Sequence, residues 1–385
     1  MILAINRGSS SIKFAVYPDT VEAPVLSGKL ERIGLPESVF QASDSAHAPL
    51  IDKRVALPNH AAALKTLLDW LGSRKLDLRG VGHRVVHGGM HYDRPQLVTP
   101  YVVAALKMLV PLAPDHLPQE IEAIEAVGRL HPNLPQVVCF DTSFHRKMPR
   151  TAQLYGLPRE LAEEGVLRYG FHGLSYEYIA GQAPRGRLIA AHLGNGASLA
   201  AIRDCVPVDT SMGFTPTGGI PMGTRSGDLD PAVVLYLLRE KNFTPSRLGE
   251  LVNKMSGLLG LSGVSADMQD LLAQERDNPA AAEAIAVFCY QARKYIGAFA
   301  AALDGVDTLV FAGGIGENAA PIRWRICERL SFLGIRLDEA ANARSADVIS
   351  TPESAVSVRI IRTNEELVVA RHAREVLVAQ ADSLR

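Results

Sequence analysis

Apolar residues in this chain fall into short runs separated by small-residue turns. Two stretches share one pattern. Ile2-Leu3-Ala4-Ile5 leads into an Asn6–Ser11 turn and then Ile12-Lys13-Phe14-Ala15-Val16-Tyr17. Leu188-Ile189-Ala190-Ala191-His192 leads into a Leu193–Ser198 turn and then Leu199-Ala200-Ala201-Ile202. Strands joined by so short a turn must run antiparallel. The repeat predicts two domains of one topology, each opening with a β-hairpin. After each hairpin strands alternate with helical patterns. The first half carries strands at Gly80–His87 and Gln136–Asp141, and helices at His60–Leu71, Pro100–Val110 and Pro118–Leu130. The second half carries a long helix over Ala281–Leu303, a strand at Thr308–Ala312 and a helix over Ala319–Leu330. A strand at Val358–Arg362 and a final amphipathic helix over Asn364–Ala379 close the chain. This alternation predicts mixed sheets flanked by helices. The boundary is expected near Asp141–Met148, giving domains of 1–145 and 146–365, with about 366–385 returning to the first.

Length supports the division, since 385 residues exceed one ordinary core. Hydrophobic residues at 47% and charged residues at 21% fit a soluble globular protein. A net charge of −1 gives no reason to expect nucleic acid or an anionic membrane as partner. The first residues read as a strand, not a signal peptide, and no apolar run is long enough to span a membrane. Cys139, Cys205, Cys289 and Cys327 are far apart and form no paired ligand set. They read as buried free thiols in a reducing cytoplasm.

Three small-residue segments sit at strand ends. In the Asn6–Ser11 turn, backbone N–H groups can converge on an anion, and Lys13 adds positive charge. The Leu193–Ser198 turn repeats that chemistry beside His192. Gly313-Gly314-Ile315-Gly316-Glu317-Asn318 reads as a turn between a strand and a helix N-terminus, which favours negative groups. No Gly-x-x-x-x-Gly-Lys-Ser/Thr loop is present, so phosphates would be gripped by hairpins of two facing domains. Gly314-x-Gly316-x-x-Ala319 also matches the dinucleotide fingerprint, but too late in the chain for a full βαβαβ unit behind it.

Charged residues interrupt several apolar runs. Arg84 lies within an apolar strand, where it either forms a structural ion pair or clamps a carboxylate or phosphate. Asp141 ends a strand and is either an N-cap or a cleft residue. His172 stands between glycines and aromatics in Tyr169-Gly170-Phe171-His172-Gly173. The glycine-rich stretch Ser211–Asp228 carries Arg225, which could be set against a transferring phosphoryl group. Thr363-Asn364-Glu365-Glu366 is either a helix start or a magnesium site through Glu365.

In order, the motifs around Asn6–Lys13, Gly82–Gly89, Phe140–Thr142, Tyr169–Gly173, His192–Gly196, Met222–Arg225, Gly314–Asn318 and Thr363–Leu367 resemble those of acetate kinases. The similarity runs from residue 2 to about 370. It implies a duplicated actin-like (ribonuclease H-like) fold of βββαβαβα domains with an active-site cleft between them, and a homodimer. It also implies ATP/ADP with Mg2+ (or Mn2+), and direct in-line phosphoryl transfer to acetate. Carried over by position, Asn6 and Glu365 would organise the metal, and Arg84, Val86, Phe171 and Pro216 would bind the acid. Asp141, His172 and Arg225 would be catalytic. Lys13, His192, Leu193, Gly194, Asn195, Gly196, Asp267, Met268, Gln269, Gly314, Ile315, Gly316, Glu317 and Asn318 would bind the nucleotide. Four residues depart from the family pattern: Arg7 in the first phosphate turn, Asp115 in the acyl-pocket segment, Gln269 near the adenine, and Tyr176 where histidine is common. Propionate or butyrate kinases, and an actin-like nucleotide-binding module, are the alternatives.

Overall fold

The computed structural model describes residues 1–8, 10–20 and 22–383. Ser9 of the first turn and the last two residues of the 366–385 segment lie outside the described residues. Contacts divide the chain into two units, Met1–Phe144 with Asn364–Arg385, and His145–Thr363.

In the first unit, β1 (Ile2–Arg7), β2 (Ser11–Tyr17), β3 (Leu26–Glu31), β4 (Val39–Asp44) and β5 (Pro49–Arg54) form an antiparallel meander. Then come β6 (Gly80–Val85), β7 (Gln96–Leu97) and β8 (Gln136–Phe140). The sheet order is β5-β4-β3-β2-β1-β6-β8-β7, with β1, β6 and β8 parallel. The second unit holds β9 (Arg187–Leu193), β10 (Ala197–Arg203), β11 (Val206–Thr210), β12 (Thr308–Ala312) and β13 (Ser357–Ile360). Their order is β11-β10-β9-β12-β13, again with a three-strand antiparallel meander whose first strand lies parallel to two later ones. Strands β1, β2, β3, β6 and β8 therefore share the connectivity of the second sheet, with β4, β5 and β7 added at the edges of the first, and the duplicated hairpin is its visible trace in the sequence.

Pairing Asn6 with Lys13 and Arg7 with Ile12 shortens the first turn to the segment 8–11, with Ser11 already in β2. Likewise Leu193 pairs with Ala197, so Ser198 belongs to β10 and the second turn is Gly194–Gly196. The stretch Gly313–Asn318, read as a turn before a helix, is itself a short helix leaving β12, and a second helix follows at Ala320–Cys327. The expected helix Ala319–Leu330 thus ends earlier.

One face of the first sheet carries Leu3, Ile5, Ile12 and Phe14, packed with Leu64, Leu67 and Val127 from helices His60–Ser73 and Leu117–Leu130. Asn59 starts the former by accepting the Ala62 N–H, satisfying one of its orphan donors. Helix Glu365–Ser383 packs against β1, β6 and β8. Its approach requires glycine at position 82, where a Cβ would sit 2.6 Å from Val369 Cγ1.

Candidate functional site

The parallel strands of the first unit bring polar residues to their C-terminal ends. Asn6 lies near the end of β1, Lys13 faces it across the hairpin, Arg84 lies near the end of β6, and Asp141 follows β8. Arg84 Nε donates to Asp141 Oδ1 (3.1 Å) and Nη2 to Oδ2 (2.5 Å), a bidentate fork on a carboxylate that is 0% exposed. Arg84 Nη1 donates to Asn6 Oδ1 (3.2 Å). Asn6 Nδ2 in turn donates to Glu365 Oε2 (2.8 Å) and Glu366 Oε1 (3.1 Å). Asn364 accepts the Leu367 N–H at the start of the last helix and so sets where both carboxylates project. Burial pulls the Arg84 pKa down, but the charges of Asp141 and Glu365 more than reverse that and raise it. Glu366 is pushed up by burial first and by Glu365 second. The strand guanidinium is therefore both an ion pair and the centre of a polar network.

Two members of this region were not singled out in the sequence. Glu366 shares Asn6 with Glu365. Glu120, buried on helix Leu117–Leu130, accepts the Val86 N–H at 3.0 Å. Burial raises Glu120 to about 7, against the pull of the Val86 N–H and Arg84. Its signal was a lone carboxylate on the apolar stripe of an amphipathic helix. Arg7, expected in the phosphate turn, sits instead at the end of β1 on the face opposite Asn6. It lines a small cavity with Ile5, Ile12, His60, Leu64 and Glu122. Burial lowers its pKa to about 10, partly countered by Glu122. Strand alternation explains the correction, since neighbouring residues point to opposite faces. Asp115 is exposed on the segment after the short Val110–Leu112 turn.

In the second unit, His172 adopts φ 58° immediately before helix Gly173–Gln182. A left-handed histidine is uncommon and persists where its surroundings hold it. His172 Nδ1 is 2.9 Å from Ser198 Oγ on β10, and its ring lies 4.6 Å from that of His192 at the end of β9. Phe171 is buried, and its carbonyl accepts from His145 Nε2. Arg225 is anchored by Nη1 donating to the Pro216 carbonyl (3.2 Å). The Gly223 N–H donates to the Asn195 carbonyl, which pins the 211–228 loop onto the β9–β10 turn. A Cβ on Gly196 would stand 3.5 Å from His172 Nε2 and 3.6 Å from Arg225 Nη1. Both groups thus flank the space that the missing side chain leaves open.

The second and third glycine segments also meet. A Cβ on Gly194 would be 3.8 Å from the Gly314 N, and one on Gly313 would be 2.7 Å from the Leu193 carbonyl oxygen. The Gly313 N–H, however, is taken by Glu317 Oε1 (3.0 Å), and Asn318 Nδ2 donates to the Gly314 carbonyl. Ile315 and Gly316 lie within that helix. Asp267 caps helix Met268–Gln274 by accepting the Gln269 N–H, with Met268 buried and Gln269 exposed. The preceding Ala266 carbonyl lies 3.2 Å from where a Gly223 Cβ would stand. Tyr176 is fully buried beside Ser198.

The family model described as the acetokinase family matches residues 1–371. The chain belongs to the acetokinase family. Acetate kinase of Rhodopseudomonas palustris (strain ATCC BAA-98 / CGA009) is 47% identical over 391 residues, covering 97% of each chain. Acetate kinase of Methylocella silvestris is 44% identical over 397 residues, covering 98% of each. Among solved structures, acetate kinase from Porphyromonas gingivalis superposes with a TM-score of 0.86 at 37% identity, over 98% of this chain and 99% of that one. A propionate kinase from Francisella tularensis reaches 0.91 at 34% identity, over 97% and 99%. The shared connectivity of the two sheets is the duplicated actin-like fold of these kinases.

Proposed function

We propose that this acetokinase family member transfers the γ-phosphoryl group of ATP to acetate, reversibly, giving acetyl phosphate and ADP. The observation that carries the reading is the convergence of His172 Nε2 and Arg225 Nη1 on the space over Gly196. A carboxylate is already a nucleophile, so the reaction needs no strong base. Its difficulty is joining two anions, and positioning with charge neutralisation supplies most of the catalysis. Arg84 suits the carboxylate, because its planar fork is oriented by Asp141 and Asn6. Val86 carries the backbone that Glu120 pins, and Phe171 and Pro216 are read as further acid-binding positions. His172 and Arg225 stabilise the phosphoryl oxygens, and Asp141 serves by orienting Arg84. The glycines of 194–196 and 313–316, with Lys13, His192, Leu193, Asn195, Glu317, Asn318 and 267–269, are assigned to the nucleotide.

The metal reading rests on donor chemistry. Asn6 Oδ1 and the Glu365 carboxylate are hard oxygen donors, and two adjacent half-buried carboxylates gain from a cation. Asn6 and Glu365 would hold Mg2+ or Mn2+, which supplies charge neutralisation at the nucleotide phosphates. A homodimer is supported by helix Pro231–Arg239, which buries none of its residues and leaves Val233, Leu235 and Tyr236 exposed. Cytoplasmic placement is proposed from the four free cysteines.

Propionate as the acid is a second reading, favoured by the likeness to the Francisella tularensis propionate kinase. An activity matrix of acids against nucleotides with Mg2+, read by trapping acyl phosphate with hydroxylamine, separates the two. The highest kcat/KM is expected with acetate. Hydroxamate formed faster from propionate would replace the first reading, and none from any acid would refute both.

A further inference from the structure

We infer that Tyr176 and Ser198 are positioning residues that fix His172 as the tautomer carrying its proton on Nε2. The claim rests on the role proposed above for His172, but the assignment itself follows from counting donors and acceptors. Tyr176 Oη is 2.6 Å from Ser198 Oγ, and Ser198 Oγ is 2.9 Å from His172 Nδ1. Tyr176 and Ser198 are both fully buried.

The phenol proton needs an acceptor, because an unsatisfied buried donor costs about 1–3 kcal/mol. Among the described residues Ser198 Oγ is the acceptor that Tyr176 reaches. The backbone N–H of His192 approaches the phenol oxygen and cannot take its proton. Tyr176 therefore donates to Ser198. Ser198 then has its own proton to place, and the acceptor left to it is His172 Nδ1. An accepting Nδ1 puts the proton of the neutral ring on Nε2. Reversing the chain would have Nδ1–H donate to Ser198 and Ser198 to Tyr176, and would strand the phenol proton in the core. Burial also raises the Tyr176 pKa well above the usual phenol value, so it remains a donor throughout the working pH range.

The consequence lies on the other side of the ring. Nε2 and Arg225 Nη1 approach the same point over Gly196, at 3.5 and 3.6 Å. With the proton on Nε2, both present N–H groups to an oxyanion there. With the proton on Nδ1, the ring would turn a lone pair toward it and repel it. Tyr176, which departs from the family's common histidine, is thus the fixed donor that starts the chain.

The experiment is a long-range proton–nitrogen NMR spectrum of the full protein labelled at histidine nitrogens, without substrate. The His172 signals are assigned by their loss in His172→Gln. The expected wild-type result is an acceptor-type Nδ1 and a protonated Nε2. Tyr176→Phe removes a single oxygen and is expected to give mixed tautomers, with kcat down about tenfold and KM for acid and nucleotide changed by less than about twofold. Ser198→Thr keeps the hydroxyl and is expected to preserve the wild-type His172 signals. A wild-type proton on Nδ1, or a Tyr176→Phe protein with unaltered His172 signals and kcat, overturns the inference. An inactive wild type would sink the functional reading alone, because the spectrum is read independently of turnover.

Discussion

Replacing Gly196 by alanine separates a folding role for this glycine from a catalytic one. The added Cβ would meet His172 Nε2 at 3.5 Å, Arg225 Nη1 at 3.6 Å and His172 Cε1 at 3.7 Å, all ordinary van der Waals distances. Gly196 does not occupy the left-handed region, so alanine meets no backbone penalty there. The unfolded chain becomes less flexible, and stability should hold or rise by up to about 1 kcal/mol. The methyl does, however, fill the space that an oxyanion needs in order to approach both donors at about 2.7–3.1 Å. Loss of one such donor costs about 10²–10³ in kcat, and here two are blocked, so a fall of at least about 10²-fold is expected. Hydroxamate formation from acetate measures the rate, and thermal unfolding checks the fold. Gly223→Ala gives the contrasting case, since its Cβ would clash with Asn195 Oδ1 and must displace that side chain. Turnover within about threefold of wild type in a normally folded Gly196→Ala protein would refute the reasoning.

Arg225→Ala is expected to keep the fold, because the side chain is only half-buried, and to lose about 10²–10³ in kcat; near-normal turnover would contradict the role given to it. Glu120→Gln changes how stability depends on pH. The folded state holds the Glu120 proton up to about 7 whereas the unfolded chain releases it near 4.5, so this group's contribution to stability falls as pH rises between those values. Relative to wild type, the glutamine variant should gain up to roughly 3 kcal/mol between acidic and alkaline conditions in urea unfolding, and parallel pH curves would exclude it. Glu365→Gln removes a charged donor and should weaken Mn2+ binding to the nucleotide-free protein, measured by electron paramagnetic resonance; equal affinity would remove Glu365 from the metal site.

The hairpins were legible because both combine an apolar strand, a small-residue turn and a second apolar strand, and β12 matched its apolar run residue for residue. The meander strands β3 to β5 were not. Leu26–Glu31, Val39–Asp44 and Pro49–Arg54 lie away from the centre of the sheet, half exposed, and their polar residues hide the alternation. Helix Pro245–Lys254 went unread, although Leu248, Leu251 and Val252 share one face at helical spacing. In the site, Arg84 and Asp141 stood out because charge interrupts apolar strands. Arg7 was misplaced by starting the turn at Asn6, although the period of two already sends the two side chains to opposite faces. The Val86 partner of Glu120 and the Tyr176–Ser198 pair needed coordinates, because each joins residues far apart along the chain.

The duplication also accounts for where the chemistry sits in each unit. In both sheets the strands that begin the meander and those that follow run parallel, so crossover connections bring their C-terminal ends to one edge. Asn6, Arg84 and Asp141 occupy that edge in the first unit, and His192 and Gly313 occupy it in the second. The two edges have diverged in kind. The first is filled by a guanidinium, an amide and carboxylates that orient one another, as the proposed acid and cation sites require. The second is emptied of side chains at Gly194, Gly196, Gly313 and Gly314, as the proposed phosphate site requires. One topology therefore carries two different sets of residues at its strand ends, because loops there can change without disturbing the apolar strands beneath them.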